Sequence, residues 1–453
     1  MSDVSDRYDA VVVGGGLGGL AAAARLSRAG MRVLVAERHD RLGGYASTFV
    51  RDRFELEVAL HLVDAMHEGE PNHALLVDLG IDRAIEWLRP AALRREIWPD
   101  REIVVPHGRD AYLDALASHF PTEREGLARL FAIASEVAGA YHAGGGEVLD
   151  PLGPLARSSA ARVVDAQVRD PALRATLSLF AHGWLGLSLE ALGAISFLVP
   201  WCSYHRYGGS YPRGGSPAIV DALASIVTRA GGALRVSTGA RRIHVERRRV
   251  SGVTFESGER VATRLVVSNA SPQATIDLLD DRDVRWSAKI DRLRGSVSCL
   301  KVWLGLSSAD EAWRDYDLYR VDERGEALSI TMPHVLTGGP PVIAITKLVE
   351  TSRSVTRADA DALVAEAERA LPTLRDRVVL REVATPSTFA RFTGNPGGSI
   401  YGARAMIAQS GARHLPHATP FDGLWMAGAW VQPGAGFSTV LRSGRDAANE
   451  ALR

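Results

Sequence analysis

Apolar and polar positions change period several times along the chain, and those changes mark out its elements. Tyr8 to Val13 is a short apolar, β-branched run, the pattern of a strand buried on both faces in a parallel sheet. The alanine-rich stretch Leu20 to Arg28 predicts a helix, with Gly30 placed for its C-terminal stop. Arg32 to Ala36 predicts a second strand, which ends at Glu37. Phe54 to His61 alternates poorly but is apolar enough for a strand. Helical spacing runs through Asp110 to Leu116, Glu123 to Ala140 and Ala156 to Phe180, with a glycine-rich break from Gly139 to Gly146. A helix over Ala218 to Ala230 stops at Gly231-Gly232. Strands are predicted at Leu234 to Ser237, Arg241 to Val245, Val250 to Phe255 and Arg264 to Asn269. Leu300 to Leu306, Leu328 to Met332 and Pro341 to Leu348 follow as strands, and Ala358 to Leu371 as a helix. Leu424 to Trp430 reads as a buried strand before a last helix, Thr439 to Leu452.

The first strand runs straight into Gly14-Gly15-Gly16-Leu17-Gly18-Gly19, which holds the G-x-G-x-x-G spacing at Gly14, Gly16 and Gly19. Gly14 allows the tight turn, Gly16 lets backbone approach a pyrophosphate, and Gly19 lets helix and strand pack closely. The helix N-terminus offers unpaired N–H groups and the positive end of its dipole to phosphates. Glu37, 18 residues beyond Gly19, is placed to accept from the hydroxyl pair of a ribose. An acid there also disfavours a 2′-phosphate. Strand, turn, helix and acid together predict a dinucleotide site, and the chain carries only one such fingerprint.

Composition narrows the class. The chain has 453 residues, about three times the usual single-domain length of roughly 150, so a two-domain enzyme fits better than a small binding module. Apolar residues make up 46% and charged residues 23%, which excludes disorder and coiled coil as the main architecture. With 53 basic and 53 acidic residues there is no electrostatic footprint of a nucleic-acid binder. Cys202 and Cys299 cannot build a disulfide framework or a four-ligand metal site, so no metal is expected. Met1 to Asp9 is polar and acidic, unlike a signal peptide, and no run of about 18 apolar residues occurs, which points to the cytoplasm. Lys289, Lys301 and Lys347 are the only lysines; the other cations are arginines. Given that bias, Arg241, Arg242, Arg247, Arg248 and Arg249 read as a solvated hairpin end. His182, Trp184, Phe197, Trp201, Tyr204 and Tyr207 fit either an apolar substrate tunnel or core packing, with core packing the default.

Several segments resemble a known family. Arg38-His39-Asp40-Arg41-Leu42-Gly43-Gly44 after the βαβ unit is similar to the FAD-binding region of flavin amine oxidases and phytoene desaturases. Tyr211-Pro212-Arg213-Gly214-Gly215-Ser216 resembles the segment that re-enters the FAD domain in desaturase-like proteins. Thr393-Gly394-Asn395-Pro396-Gly397-Gly398-Ser399-Ile400-Tyr401-Gly402 resembles a segment of carotenoid isomerase and retinol saturase relatives. That branch commonly writes Phe-Asp-x-Gly-x-His where this chain has Leu56, Glu57, Ala59 and His61, keeping only the histidine. The resemblance implies an α/β protein with a Rossmann-like FAD-binding domain and an interleaved α+β substrate domain. The FAD-binding part would be segments 1–75, 208–275 and 410–453, and the substrate part 76–207 and 276–409.

It further assigns FAD contacts to Gly14, Gly16, Leu17, Gly18, Gly19, Glu37, Arg38, Gly43, Gly44, Ala240, Gly428, Gly436, Phe437 and Ser438. Glu57 and His61 are the polar groups expected near the flavin ring, as proton donor, acceptor or substrate-positioning groups, or else as groups that orient the FAD or stabilise the local fold. The implied activity is on C–C bonds of an elongated, apolar, polyene-like molecule, by desaturation, saturation or cis–trans isomerisation. Since no second dinucleotide site is present, electrons would pass to or from an external partner or stay in a redox-neutral cycle. Contact with a membrane, where polyenes dissolve, would be peripheral. An amine or natural-product intermediate oxidase is the alternative substrate reading. A third, a non-enzymatic escort protein for prenylated GTPases, is opposed by the complete glycine fingerprint.

Overall fold

A computed structural model describes residues 8–144 and 153–453. The first strand, Ala10–Val13, is the centre of a five-stranded sheet. Its neighbours run in the order Ala233–Arg235, Val33–Ala36, Ala10–Val13, Val266–Ser268 and Leu424–Met426, all parallel. Ala10 and Val12 point into one apolar cluster while Val11 and Val13 point into another. That double burial explains why the run has no polar alternation. Each fully buried valine contributes about 1.5–3 kcal/mol.

The first helix, Leu17–Arg28, begins directly at the glycine turn and lies against the last helix, Phe437–Ala451. Their contact is built from residues without bulk. A Cβ on Gly444 would lie 2.1 Å from the Gly18 carbonyl oxygen, and one on Gly19 would lie 2.2 Å from that of Gly14. Gly30, at φ +89°, follows the C-cap as its position predicts.

Four elements differ from the sequence pattern. The helical spacing over Ala156 to Phe180 is broken into Gly153–Ala156, Ala160–Asp165 and Pro171–Leu185. Ser159 caps the second piece by accepting from the Arg162 N–H, and Asp170 caps the third by accepting from Ala172 and Leu173. Pro171, lacking an N–H, cannot continue a preceding helix. The strand over Phe54 to His61 stops at Glu57, whose carboxylate accepts from the N–H groups of Ala59 and Leu60 and so turns the chain. The buried strand at 424 stops at Met426, ahead of Gly428 at φ +105°. The helix Arg124–Gly144 runs through Gly139; Gly145 and Gly146 of the expected break lie outside the described residues. So does most of the polar N-terminal stretch.

A second sheet of seven strands has the order Val378–Ala384, Ser298–Leu306, Val342–Val349, Ala327–Thr331, Asp317–Val321, Arg94–Ile97 and Glu102–Val105. The three strands predicted there are at its middle. Arg94–Ile97, Glu102–Val105, Asp317–Val321 and Val378–Ala384 are strands that the apolar pattern does not mark; all are short, and charged residues interrupt them. In the strand Ser298–Leu306, Leu300, Val302, Leu304 and Leu306 share an apolar cluster with Leu363 and Ala367 of the helix Arg357–Ala370. Cys299, Lys301 and Trp303 face the other way. The helices Arg124–Gly144, Pro171–Leu185 and Ala194–Tyr207 form a helical layer, and Phe131, Phe197 and Trp201 are among its fully buried side chains. The arginine cluster sits on the exposed hairpin between Ala240–Glu246 and Arg249–Phe255, as expected. Among the described residues no helix is long and apolar enough to cross a membrane.

Candidate active site

One cavity of about 1840 Å³ runs from the glycine turn of the first sheet to the inner face of the second. Ordinary small-molecule sites hold about 300–1,000 Å³, so this one has room for a cofactor and a second molecule.

At the glycine end the wall is mainly backbone. Gly16 is the N-cap of the first helix and Gly436 that of the last, and neither helix start receives a side-chain cap. Gly16, Leu17 and Gly18 line the cavity from one helix, and Gly436, Phe437 and Ser438 from the other. Two helix N-termini with free N–H groups and positive dipole ends thus meet one space, which suits a phosphate-bearing, anionic cofactor. The Asn269 side chain occupies the gap that three glycines leave. A Cβ would lie 2.6 Å from its Nδ2 at Gly16, and 2.6 Å from its Oδ1 at Gly18 and at Gly428. Side chains at those positions would close the cradle.

Glu37 also borders the cavity. Its Oε2 accepts from the Gly15 N–H at 2.7 Å and its Oε1 from the His39 N–H at 2.9 Å. The acid is thereby fixed with a lone pair left on each oxygen for a ribose. Gly43 reaches back to the turn, its N–H donating to the Gly15 carbonyl at 2.8 Å. Arg38, Gly44, Ala240 and Gly428 complete this end. Gly19 is the one expected cofactor residue that does not border the cavity: it sits behind the turn, where it allows close packing.

At the other end side chains form the wall. Lys301, 3% exposed, projects from the middle of the second sheet and donates from Nζ to the Val58 carbonyl at 2.9 Å. Burial pulls its pKa down, while Cys299, Glu57 and Asp317 push the other way. His61 has its Nδ1 3.0 Å from Thr331 Oγ1 and 3.6 Å from Asp317 Oδ1. Thr331 Oγ1 donates to the same Asp317 oxygen at 3.3 Å, and Tyr316 OH donates to the His61 carbonyl at 2.5 Å. The imidazole is held through Nδ1, and His61 lines the cavity.

Glu57, expected beside the ring together with His61, does not border the cavity. Its Oε2 accepts from the Ser216 N–H at 2.9 Å and its Oε1 from Ser216 Oγ at 2.8 Å. Burial raises its pKa, and the Ser216 hydrogen bonds only partly offset that. Two segments quoted for the family resemblance therefore meet, with Glu57 anchoring the turn that carries Gly214 and Gly215.

The aromatic stretch divides between its two readings. Trp184 and Tyr204 line the cavity with Phe180, Ile195 and Val199, whereas Phe197 and Trp201 are core. The C-terminal signature holds its own part of the wall: Asn395 Oδ1 accepts from Trp430 Nε1 at 2.9 Å, and Tyr401 lines the cavity nearby. Asn269, Lys301, Asp317 and Thr331 had no assigned role from sequence. Lys301 did carry a signal, as one of three lysines and the only charge in an apolar strand. No cluster of metal-ligating side chains occurs among the described residues.

Known proteins match this architecture from end to end. The flavin containing amine oxidoreductase family matches residues 17–452. The chain is 28% identical to phytoene desaturase (neurosporene-forming) of Rhodobacter capsulatus, over 96% of this chain and 92% of that protein. It is 24% identical to prolycopene isomerase 2 of an Oncidium hybrid cultivar, over 97% of this chain and 83% of that one. All-trans-retinol 13,14-reductase of Danio rerio is 28% identical over 68% of this chain, which spans 56% of that protein. Among solved structures, putrescine oxidase bound to putrescine superposes with a TM-score of 0.72 at 15% identity, over 98% of this chain and 99% of the other. An oxidoreductase from Methanosarcina mazei gives 0.69 at 20% identity, over 97% and 99%.

Proposed function

Because the chain belongs to the flavin-containing amine oxidoreductases, we propose that it acts on C–C bonds of an elongated apolar polyene, by desaturation, saturation or cis–trans isomerisation. That it is an enzyme, an FAD-dependent oxidoreductase, follows from the family and its named relatives. The polyene reading is carried by the cavity beyond the cofactor cradle, whose wall includes Phe180, Trp184, Ile195, Val199, Leu348 and Ile400. The substrates named for the desaturase, isomerase and retinol reductase relatives support it.

Segments 1–75, 208–275 and 410–453 form the FAD-binding part in this reading, and 76–207 and 276–409 the substrate part. Every strand of the five-stranded sheet falls in the first set and every strand of the seven-stranded sheet in the second, which supports the division. The N–H groups of Gly16 to Gly18 would take the pyrophosphate, Glu37 the ribose diol, and the helix start at Gly436 to Ser438 the negative charge of a reduced ring. Arg38, Gly43, Gly44, Ala240 and Gly428 would close around the rest. Bound FAD supplies the exchange of electrons with the substrate.

The chain's own side chains do the remaining work. The aromatic and aliphatic wall orients the polyene and keeps water out. His61, held at Nδ1 by Thr331 and Asp317, holds or moves a proton at Nε2. Lys301 supplies a buried amine on the cavity face of the seven-stranded sheet, which also carries Asp317. With one dinucleotide fingerprint, desaturation or saturation passes electrons to or from an external donor or acceptor, whereas isomerisation is redox-neutral overall. Any membrane contact would be peripheral.

Anaerobic reaction of FAD-loaded, chemically reduced enzyme with polyenes tests this, following flavin absorbance and product mass together. A new isomer of unchanged mass with the flavin still reduced means isomerisation. Flavin reoxidation with a product two hydrogens heavier means saturation, and loss of two hydrogens with oxidised enzyme means desaturation. The second reading, oxidation of an amine or a natural-product intermediate, draws on the putrescine oxidase likeness in fold. Flavin reduction by an amine, with polyenes inert in both flavin states, would select it.

A further inference from the structure

We propose that the cavity receives a substrate with a carboxylate end, which docks on Arg442. This rests on the reading of an elongated apolar substrate and names what its polar end is.

Arg442 lies in the last helix, is 6% exposed and lines the cavity. Its Nη2 donates to His142 Nδ1 at 3.2 Å, and its guanidinium stands 5.2 Å from the centre of the Tyr141 ring. Among the described residues no carboxylate lies within 4.0 Å of it, the ion-pair limit, and the bond to His142 is its only side-chain hydrogen bond. Its neighbour Arg445 differs: it pairs with Asp78 at 3.0 Å and Asp446 at 2.6 Å. A buried cation is costly without a counter-charge, and the protein supplies Arg442 with a neutral imidazole and an aromatic face instead.

The same place holds a second unsatisfied donor. With Nδ1 accepting from Arg442, the His142 hydrogen sits on Nε2, which is buried without an acceptor. Burial and the adjacent guanidinium hold the His142 pKa down to about 4, so the imidazole stays neutral. Asp64 is the carboxylate whose field reaches both Tyr141 and His142. Its oxygens are already occupied, accepting from Ser438 Oγ at 2.8 Å, Asn72 Nδ2 at 3.2 Å and Ser203 Oγ. Through Ser203 and Ser438, Asp64 ties the helix Ala194–Tyr207 to the last helix, so it braces this branch and leaves the guanidinium fork open. The same helix lines this stretch of the cavity with Arg445, Asp446, Asn449, Glu450 and Arg453 as well, and the open Arg442 fork there matches a carboxylate, which it can hold by two parallel hydrogen bonds.

Matched probes without conjugation isolate this end from the redox chemistry. Hexadecanoate and hexadecanol are titrated into the FAD-loaded full chain, with binding read from perturbation of the flavin spectrum. The expected result is an acid bound at least about tenfold more tightly than the alcohol. Arg442→Met should erase that preference with alcohol affinity unchanged, and Arg442→Lys should retain part of it. FAD content and melting temperature check each variant. Equal affinity of acid and alcohol in the wild type, or a preference that survives in Arg442→Met, overturns the proposal. Should Arg442→Met fail to load FAD, the wild-type comparison and Arg442→Lys still decide. If the acid preference holds but no polyene is converted, the polyene reading fails and the carboxylate site stands. If polyene hydrocarbons are converted and a terminal carboxylate gives no advantage, the reverse is true.

Discussion

The two ends of the cavity are built from different material. The cofactor end is backbone: two helix starts, a turn at Gly14 to Gly19 and the strand end at Gly428, with Asn269 wedged between them. The substrate end is side chain: His61, Lys301, Asp317 and Thr331 come from separate segments and meet only when the seven-stranded sheet is paired. A backbone cradle tolerates almost no substitution, because each added atom displaces the ligand or a carbonyl. A side-chain wall tolerates substitution structurally but changes its chemistry with each one. Variants at the first end should therefore fail by losing cofactor, and variants at the second by losing turnover.

The largest effect should come from Gly19→Val, although Gly19 does not face the cavity. Its Cβ would lie 2.2 Å from the Gly14 carbonyl, so helix and turn must separate. We expect a loss of about 3 kcal/mol in stability and purified protein nearly free of FAD, read by denaturant unfolding and the flavin-to-protein absorbance ratio. A yellow, fully loaded variant would break the comparison. Lys301→Met is the counterpart at the other end. It removes a buried cation near Glu57 and the donor to the Val58 carbonyl, so a stability loss of about 1–3 kcal/mol is expected, while FAD content should not change. Turnover should fall by about 10²-fold if the amine takes part in proton handling. A variant that keeps its rate would make Lys301 part of the wall and nothing more.

This contrast also decides what the sequence could reveal. The N-terminal half of the cradle is local, so Gly14 to Gly19, the preceding strand and Glu37 lie within thirty residues of one another and can be read in order. The fold's first sheet is legible for the same reason, since strands buried on both faces are unbroken apolar runs. Asp317 and Thr331 sit on paired neighbouring strands, opposite each other in register, and no spacing along the chain encodes that. For Glu57 the sequence leaves two roles open, beside the ring or in support of the local fold. The chain turns between it and His61 and sends the acid to Ser216, 159 positions away. Asp317→Asn tests the partner that the fold supplies instead. We expect about a tenfold loss in kcat with KM and FAD content unchanged, because only the support behind His61 is altered. A change confined to KM would place Asp317 in substrate binding.

The smallest effect is expected from Glu57→Gln, and it appears only against pH. Burial raises the Glu57 pKa in the folded protein, so the native state holds this proton more tightly than the unfolded chain does. At pH values below the ordinary glutamate pKa of about 4.3 both states are protonated and the contribution to stability is complete. As pH rises past that value the unfolded chain releases its proton first, and stability falls until the raised native pKa has been passed. One proton limits the slope to about 1.4 kcal/mol per pH unit. Glutamine keeps an oxygen to accept from Ser216 but has no proton to lose, so the FAD-loaded variant should show a flatter decline in melting temperature from mildly acidic pH upward. Parallel curves for variant and wild type would mean that Ser216 and Lys301 already compensate the buried charge, and that this anchor, like the cradle it supports, is set by geometry alone.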